Sequence, residues 1–163
     1  MRKITGIMAC DQHHVISNRG RLPWNCPEEV AFYRSMIKNQ IVIMGYKTYQ
    51  QMPDNFFENH ATVVFSKQNR NLTNPLITIV SSLDEFYDLR NLPDHKQCYM
   101  VGGAEMATLF LKNKAIDDFY LSEIEGYFPG DVFFPMNLMD HCPRTIYRKG
   151  SGFTAYYYDN LKE

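Results

Sequence analysis

Short apolar runs, separated by segments long enough to form helices, constrain the fold of this 163-residue chain more than any other feature. Six runs have the length of buried strands and occupy residues 4–9, 41–44, 62–65, 76–80, 98–101 and 119–124. Helices are predicted over residues 27–38, 46–52, 83–90 and 103–112. Strands that alternate with helices build a mostly parallel sheet with helices on its faces, so the sequence predicts an α/β fold.

The end of the chain follows a different pattern. Residues 144–148 and 153–158 have strand character and flank Gly150 and Gly152, which is typical of an antiparallel hairpin. We therefore expect an antiparallel C-terminal edge on the otherwise parallel sheet.

Local signals mark the boundaries of several segments. Ser82 and Glu85 have the spacing of a capping box, which predicts a helix that begins near Leu83. Residues 10–24 and 53–60 are predicted to be loops. A loop as long as the first is usually functional or mobile in a compact domain, so we expect it to cover a site.

Length and composition exclude several classes of protein. A chain of 163 residues predicts one domain over residues 1–163. A net charge of −1 offers no basic excess for nucleic acid, and no apolar run approaches the length of a membrane span. The four cysteines form no C-x-x-C pair, which indicates reduced thiols in a cytoplasmic protein without a metal site.

One acidic residue borders the apolar face of the first predicted helix. Glu29 lies one turn before Tyr33 and beside Val30, and Ile37 continues the same face. A carboxylate in this position is expected to be partly buried and available for chemistry. The alternative is an ordinary acidic residue that stabilises the positive end of the helix dipole.

Two strand-to-helix junctions have the character of a phosphate site. Gly-Tyr-Lys-Thr at residues 45–48 and Gly-Gly-Ala-Glu at residues 102–105 each follow a predicted strand. Free N–H groups at helix starts bind phosphate, and ligands bind at the carboxyl ends of parallel strands. Either junction alone is more typical of a tight turn, but the two together favour a dinucleotide. Ser66 and Lys67 follow a third strand and form either a site for a 2′-phosphate or an ordinary polar turn.

An ordered set of motifs covers nearly the whole chain. In its N-terminal half the set comprises Val15-Ile16, Leu22-Pro23-Trp24-Asn25, Glu29, Phe32, Tyr33 and Ile43-Met44-Gly45-Tyr46-Lys47-Thr48. It continues with Val63-Val64-Phe65-Ser66, Val101-Gly102-Gly103-Ala104-Glu105, Tyr120-Leu121-Ser122 and Gly130-Asp131-Val132-Phe133-Phe134-Pro135. In order and spacing this set closely resembles the dihydrofolate reductase family.

The resemblance implies a fold and a reaction. It implies a three-layer sandwich around a central eight-stranded sheet, a cis peptide bond between Gly102 and Gly103, and a monomer. It further implies reduction of 7,8-dihydrofolate by NADPH. One alternative is a relative that reduces another pterin or a pyrimidine intermediate of riboflavin synthesis. Another is a nucleotide-binding protein that has lost catalysis. Trp24 together with Glu29 argues against a riboflavin-pathway reductase, and retention of Ser122 as well argues against a non-catalytic protein.

The resemblance also implies roles for individual residues. Glu29 would be the active-site carboxylate that binds the amidine edge of the pterin with two hydrogen bonds. Trp24 would orient a water molecule, and Ser122 would hydrogen-bond Glu29 and the pterin amino group. The other implied substrate-binding residues are Ile7, Met8, Ala9, Val30, Tyr33, Ile37, Met52 and His60. The implied cofactor-binding residues are Ala9, Ile16, Asn18, Gly20, Arg21, Leu22, Gly45, Tyr46, Lys47, Thr48, Phe65, Ser66, Lys67, Val101, Gly102, Gly103, Ala104, Glu105 and Met106.

Four positions depart from the family pattern. Ser17 stands where the family has glycine, and Tyr46 stands where it has a basic residue, which removes one positive contact to the 2′-phosphate. Ala107 replaces an aromatic residue of the nicotinamide pocket, a gap that Phe110 or a neighbour would fill. His60 stands where the family has the arginine that binds the glutamate of folate, after a loop that is one residue longer.

The substitution at His60 weakens the predicted grip on the substrate's tail. No arginine occurs between residues 35 and 69. A histidine offers a carboxylate at most one hydrogen bond from a given nitrogen, and an unperturbed histidine is mostly neutral at pH 7. We therefore expect a weak glutamate contact, unless Lys38 or Arg34 takes the place of the arginine.

Overall fold

The computed structural model describes residues 2–68 and 72–163. Its strands are β1 (Ile4–Asp11), β2 (Val15–Ser17), β3 (Ile41–Gly45), β4 (Thr62–Phe65), β5 (Ile77–Val80), β6 (Cys98–Gly102), β7 (Asp118–Ile124), β8 (Val132–Phe133), β9 (Arg144–Gly150) and β10 (Phe153–Tyr158). Its α-helices are α1 (Pro27–Ile37), α2 (Tyr46–Gln51), α3 (Leu83–Tyr87) and α4 (Ala104–Lys112). Short 3-10 helices cover Asp54–Glu58 and Met136–Leu138. All the predicted strands and helices are present.

Eight of these strands form one sheet in the order β5-β4-β3-β6-β1-β7-β10-β9. Every pair from β5 to β7 is parallel, whereas β10 runs antiparallel to both β7 and β9. The prediction of a mostly parallel sheet with an antiparallel C-terminal hairpin is confirmed. A second sheet of two strands, β2 and β8, lies outside it.

Alternation along β1 separates two apolar cores. Ile7 packs with Phe32 and Ile37 of α1 and with Val42 of β3, in a cluster that we call the α1-side core. The side chain of Met8 points to the other face of the sheet, because successive residues of a strand face opposite sides.

The opposite cluster, the α4-side core, contains Met106, Phe110 and Leu111 of α4 and Phe86 of α3. Phe110 is completely buried between the rings of Phe65 and Phe86. With a core on each face of the sheet, the predicted three-layer sandwich is confirmed.

The capping box at the start of α3 is present in part. The Glu85 N–H donates to Ser82 Oγ at 3.2 Å, as predicted. The Glu85 carboxylate accepts instead from the N–H and hydroxyl of Ser81, at 3.0 and 2.6 Å. The helix ends at Tyr87 rather than near residue 90, because the Asp88 N–H closes a last tight turn onto Asp84 and Glu85.

Both predicted loops contain regular structure. The segment from residue 53 to 60 includes a 3-10 helix, whose Phe57 is buried against the ring of Tyr49 at 5.0 Å. The segment from residue 10 to 24 includes the end of β1 and all of β2. No helix in the described ranges is long and apolar enough to cross a membrane.

Candidate active site

The carboxyl ends of neighbouring parallel strands lie at one edge of the sheet. Gly45 at the end of β3 pairs with Phe65 of β4, and Met44 of β3 pairs with Gly102 of β6. The three polar segments that follow β3, β4 and β6 are thereby brought to adjacent positions at this edge. In open α/β sheets this edge is where ligands bind.

Glu29 occupies the first turn of α1 and faces inward. Glu29 is only 8% exposed, and this burial raises the pKa of its carboxyl group to about 7. No hydrogen bond to this carboxylate is made within residues 2–68 and 72–163. The neighbouring acid Glu28 is exposed and accepts the Ser151 N–H at 3.0 Å. Burial without a partner therefore favours a role in chemistry for Glu29 over a role at the helix dipole.

Trp24 and Ser122 are buried near the same part of the fold. Trp24 precedes α1, is 9% exposed and meets the ring of Phe128 edge-on at 5.9 Å. Ser122 pairs with Ala9 of β1 and is 1% exposed. Because Ile124 of β7 belongs to the α1-side core, alternation turns Ser122 toward that face as well. Glu29, Trp24 and Ser122 thus lie on the α1 side of the sheet.

The predicted substrate-binding residues divide by accessibility. Ala9 is the one residue of β1 that is not fully buried, and it packs on the α1-side core. We call the accessible space beside Ala9, between β1 and α1, the cleft. Ile7 and Ile37 are 2% and 1% exposed and lie beneath the surface of the cleft. Val30, Tyr33 and Met52 are partly exposed on the α1 side.

Met8 does not join this group. Its side chain lies in the α4-side core, and its Cε would be 3.3 Å from a Cβ atom at Gly102. The family resemblance had implied that Met8, with Ile7 and Ala9, binds the substrate. The alternation of a strand corrects this for the side chain and leaves only the backbone of Met8 on the cleft side.

The two junctions predicted to bind phosphate are in contact. A Cβ atom at Gly103 would lie 3.6 Å from Thr48 Oγ1, and one at Gly45 would lie 3.0 Å from Met106 Cγ. The Gly102–Gly103 peptide bond is cis, as the family resemblance implied. No side chain caps the start of α4, so its first N–H groups are available to an anion. The pyrophosphate of a dinucleotide fits a cradle of this kind.

The other predicted cofactor residues surround this cradle. Lys47, Lys67 and Glu105 are exposed, as are Gly20, Arg21 and Leu22. Partly exposed positions are Ile16, Asn18, Tyr46, Val101 and Ala104, and buried ones are Phe65, Ser66, Gly102 and Met106. Tyr46 stacks on Tyr49 within α2, at 5.7 Å between ring centroids. The Ser66 hydroxyl donates to the Gln68 carbonyl at 3.1 Å, so Ser66 and Gln68 form a local turn.

The segment of residues 17–22, which leads to Trp24, turns back beside α2. Asn18 and Arg21 close a turn through reciprocal backbone hydrogen bonds of 2.8 and 3.1 Å. Arg19 and Gly20 between them have φ values of 51° and 78°, as a two-residue hairpin turn requires. A Cβ atom at Gly20 would lie 3.4 Å from Gln51 Nε2, so the tip of the turn rests against the end of α2.

His60 is partly buried, and its ring contacts two neighbouring residues. Its Nδ1 lies 3.2 Å from the carbonyl oxygen of Gln40, and its ring stacks on Phe56 at 4.7 Å. A carbonyl oxygen only accepts hydrogen bonds, so Nδ1 carries the proton in this contact. In the neutral imidazole the remaining nitrogen, Nε2, is then an acceptor.

Comparison with known proteins agrees with this geometry. The family model described as dihydrofolate reductase matches residues 3–145. The chain belongs to the dihydrofolate reductase family. Dihydrofolate reductase from Bacillus subtilis (strain 168) is 30% identical over 133 residues, which cover 81% of this chain and 75% of that protein. Dihydrofolate reductase type A13 of Escherichia coli is 31% identical over 131 residues, which cover 80% and 76%. The enzyme of Buchnera aphidicola is 25% identical over 147 residues, covering 90% and 85%.

Membership of the dihydrofolate reductase family confirms the predicted activity and the use of NADPH. The structure shows the surroundings of Ala107, one of the positions that depart from the family pattern. Ala107 is completely buried in the α4-side core, and so is Phe110. The two residues belong to one packed cluster, and the prediction that Phe110 or a neighbour fills the gap left at Ala107 stays a prediction.

Sequence reasoning missed two carboxylates that hold the loop backbone near residues 13–19 and 128 in place. Asp11, completely buried at the end of β1, accepts the N–H groups of His13, Val15 and Phe128 at 2.8 to 2.9 Å. Asp11 thereby joins residues 13–15 to the turn at Phe128, whose ring packs on Trp24. An acid directly after an apolar strand run and before turn residues is the signal that could have identified it.

The second missed carboxylate is Asp131, which accepts the Arg19 N–H. Its motif contributed to the family resemblance, but no role was assigned to it. A carboxylate beside a glycine in a loop is common, so its pattern alone carries little information.

Proposed function

We propose that this dihydrofolate reductase uses Glu29 as the carboxylate that binds and orients 7,8-dihydrofolate while NADPH reduces it to tetrahydrofolate. The observation that carries the proposal is a buried carboxyl group whose pKa is raised to about 7 by burial. The two other buried carboxylates, Asp11 and Asp118, are engaged in hydrogen bonds within the protein. Glu29 alone among these three has capacity left for a ligand.

The ionised form of Glu29 would accept two parallel hydrogen bonds from the amidine edge of the pterin. A pKa near neutrality lets the same group hold or release a proton at physiological pH. Ser122, on the same side of the sheet, would add a hydroxyl partner for the carboxylate and the pterin amino group. Trp24 would orient a water molecule at the buried end of the cleft.

The cofactor supplies the hydride when it is bound. We propose that Thr48 and the first N–H groups of α4 hold its pyrophosphate, because the two junctions touch and glycine leaves the backbone accessible. Lys47, Ser66 and Lys67 would bind the 2′-phosphate. The segment of residues 17–22 would exclude water from the nicotinamide.

We further propose that the chain acts as a single domain and as a monomer in the cytoplasm. One continuous sheet contains strands from both ends of the chain, as expected for a single domain. The cysteines Cys10, Cys26, Cys98 and Cys142 are unpaired, which suits a reducing compartment. Sedimentation of the purified protein at micromolar concentration would reveal a dimer if one forms.

NADPH oxidation measured with dihydrofolate, with and without an antifolate, tests the activity. Glu29→Gln should slow the hydride step by roughly 100-fold or more, the scale of acid–base contributions, and leave NADPH binding intact. Glu28→Gln, in the same turn, is the matched control and should keep the parent rate. Near-normal turnover by the Glu29 variant would remove this residue from the mechanism.

A second candidate function is the reduction of a related pterin that lacks the glutamate tail. It is favoured by one observation, the engagement of His60 by Gln40 where the family has a free arginine. Turnover of dihydropteroate that equals turnover of dihydrofolate at low substrate concentration would support this candidate.

A further inference from the structure

The hydroxyl of Tyr33 is buried without a partner. It is the one side-chain nitrogen or oxygen, within residues 2–68 and 72–163, that is both sealed from solvent and free of hydrogen bonds. Native proteins pair almost all such groups, because an unpaired buried hydroxyl loses its hydrogen bonds to water and gains none. An orphan in a family member's substrate cleft therefore requires an explanation.

The position of Tyr33 on α1 relates it to Glu29. The two residues are four positions apart, so they lie one above the other on the same side of the helix. Helical side chains lean toward the N-terminus, which directs the Tyr33 ring toward the turn that carries Glu29. Burial raises the pKa of Tyr33 above its usual range, and the Glu29 charge adds to this. The phenol and the carboxylate therefore share one water-poor space.

We propose that Tyr33 is a positioning residue that donates its hydroxyl hydrogen to the Glu29 carboxylate when Glu29 is ionised. In the structure the hydroxyl is unpaired, so its hydrogen is available to a strong acceptor. An ionised carboxylate is a stronger acceptor than a neutral one, and residues four positions apart on a helix are close enough for their side chains to interact. The bond would favour ionisation and fix the carboxylate plane that the pterin meets. This inference rests on the proposed role of Glu29.

Few charged groups influence the ionisation of Tyr33 and Glu29. Arg34, next on α1, lowers the Tyr33 pKa slightly against burial and Glu29. Burial is the only influence on the pKa of Glu29 from the described chain. Ser122 from the sheet and Trp24 before the helix carry no charge, and the His60 ring is engaged by Gln40.

Titration of the Glu29 carboxyl carbon by ¹³C NMR in the free enzyme tests the proposal. The signal is assigned by its loss in Glu29→Gln. In Tyr33→Phe, which removes only the hydroxyl, the midpoint should rise by about one pH unit, the scale of a hydrogen bond to a charged group. Tyr87→Phe on α3 is the matched control and should leave the midpoint unchanged. A midpoint in Tyr33→Phe that is unchanged or lower would overturn the proposal.

Stability provides an independent readout that a packing role would not reproduce. At pH 5, with Glu29 protonated, Tyr33→Phe should be at least as stable as the parent because it loses an unpaired hydroxyl. At pH 9 the order should reverse, because the parent gains the bond to the carboxylate. The same difference at both pH values would overturn the proposal. Both measurements use enzyme without substrate, so they can fail or succeed independently of dihydrofolate reduction.

Discussion

The carboxylate of Asp131 accepts the backbone N–H of Arg19, with N···O distances of 3.2 and 3.3 Å across 112 residues of sequence. The Asp131 N–H in turn donates to the Ser17 carbonyl at 3.1 Å. The adjacent Gly130 permits this contact, because a Cβ atom there would lie 2.1 Å from Val15 Cγ1. The position of residues 17–19 is therefore fixed by a loop 112 residues later in the sequence.

Asp131→Ala should loosen this segment. Hydrogen exchange at residues 17–21 should become faster, and the hydride step should slow by about tenfold, because loss of about 1.4 kcal/mol of positioning has that effect on a rate. Exchange mass spectrometry and single-turnover kinetics measure the two quantities. Asp140→Ala, an exposed acid away from the segment, serves as control. Unchanged exchange at residues 17–21 would show that the contact does not hold the segment.

The buried Glu29 predicts a pH dependence of stability. Its pKa is raised to about 7 in the folded protein from an ordinary value of 4.5. Below pH 4.5 the group is protonated in both states, so stability is unaffected. As pH rises through 7 the folded protein must bury a charge that the unfolded chain exposes, and stability is lost. The parent should lose about 3 kcal/mol relative to Glu29→Gln between pH 4.5 and pH 8.5.

Urea unfolding of the two proteins across this pH range gives that difference directly. Glu28→Gln should show no comparable change, because Glu28 is exposed. If the gap between parent and Glu29→Gln stayed constant with pH, the carboxyl would titrate normally and its burial would have no electrostatic consequence.

The parts of this site that the sequence predicted depend on local periodicity. Helical spacing placed Glu29 beside Tyr33 on the inward face of α1, and strand ends placed Gly45 and Gly102 at one edge. The family resemblance implied that Met8 binds the substrate, but the two-residue period of β1 directs its side chain into the α4-side core.

Contacts between loops could not be predicted in this way. The bond from Arg19 to Asp131 and the contact of His60 with Gln40 depend on how separate segments meet. The periodicity of a segment predicts its own secondary structure. It does not predict which residue of a distant loop the segment contacts. The unpaired hydroxyl of Tyr33 is likewise visible only when every neighbour is in place.

Lys67 should discriminate between the two nicotinamide cofactors. It is exposed and lies two residues after the end of β4. β4 pairs with β3, the strand that leads into α2 and Lys47. A hydrogen bond to a charged group contributes about 1.5–3 kcal/mol, so Lys67→Ala should weaken NADPH binding by roughly tenfold or more. NADH binding should hardly change. Fluorescence titration of both cofactors checks this, with Lys112→Ala at the end of α4 as control. Equal losses for NADPH and NADH would place Lys67 away from the 2′-phosphate.

The orientation of His60 sharpens the expectation for the tail of the substrate. Its Nδ1 proton is directed at the Gln40 carbonyl, and the neutral ring then presents only an acceptor at Nε2. A carboxylate is also an acceptor, so neutral His60 cannot donate to the glutamate without giving up its bond to Gln40. A planar arginine, in contrast, donates two hydrogen bonds to one carboxylate.

His60→Arg should therefore lower the KM for dihydrofolate by about tenfold, equivalent to about 1.4 kcal/mol of binding. The parent should discriminate poorly between dihydrofolate and dihydropteroate, which lacks the glutamate, and the variant should prefer dihydrofolate. KM measurements for both substrates with both proteins decide the matter. Arg34 and Lys38 are the exposed cations of this region that could replace the missing arginine. A strong preference of the parent for dihydrofolate, abolished in Arg34→Ala or Lys38→Ala, would assign the glutamate contact to that cation instead of leaving it unfilled.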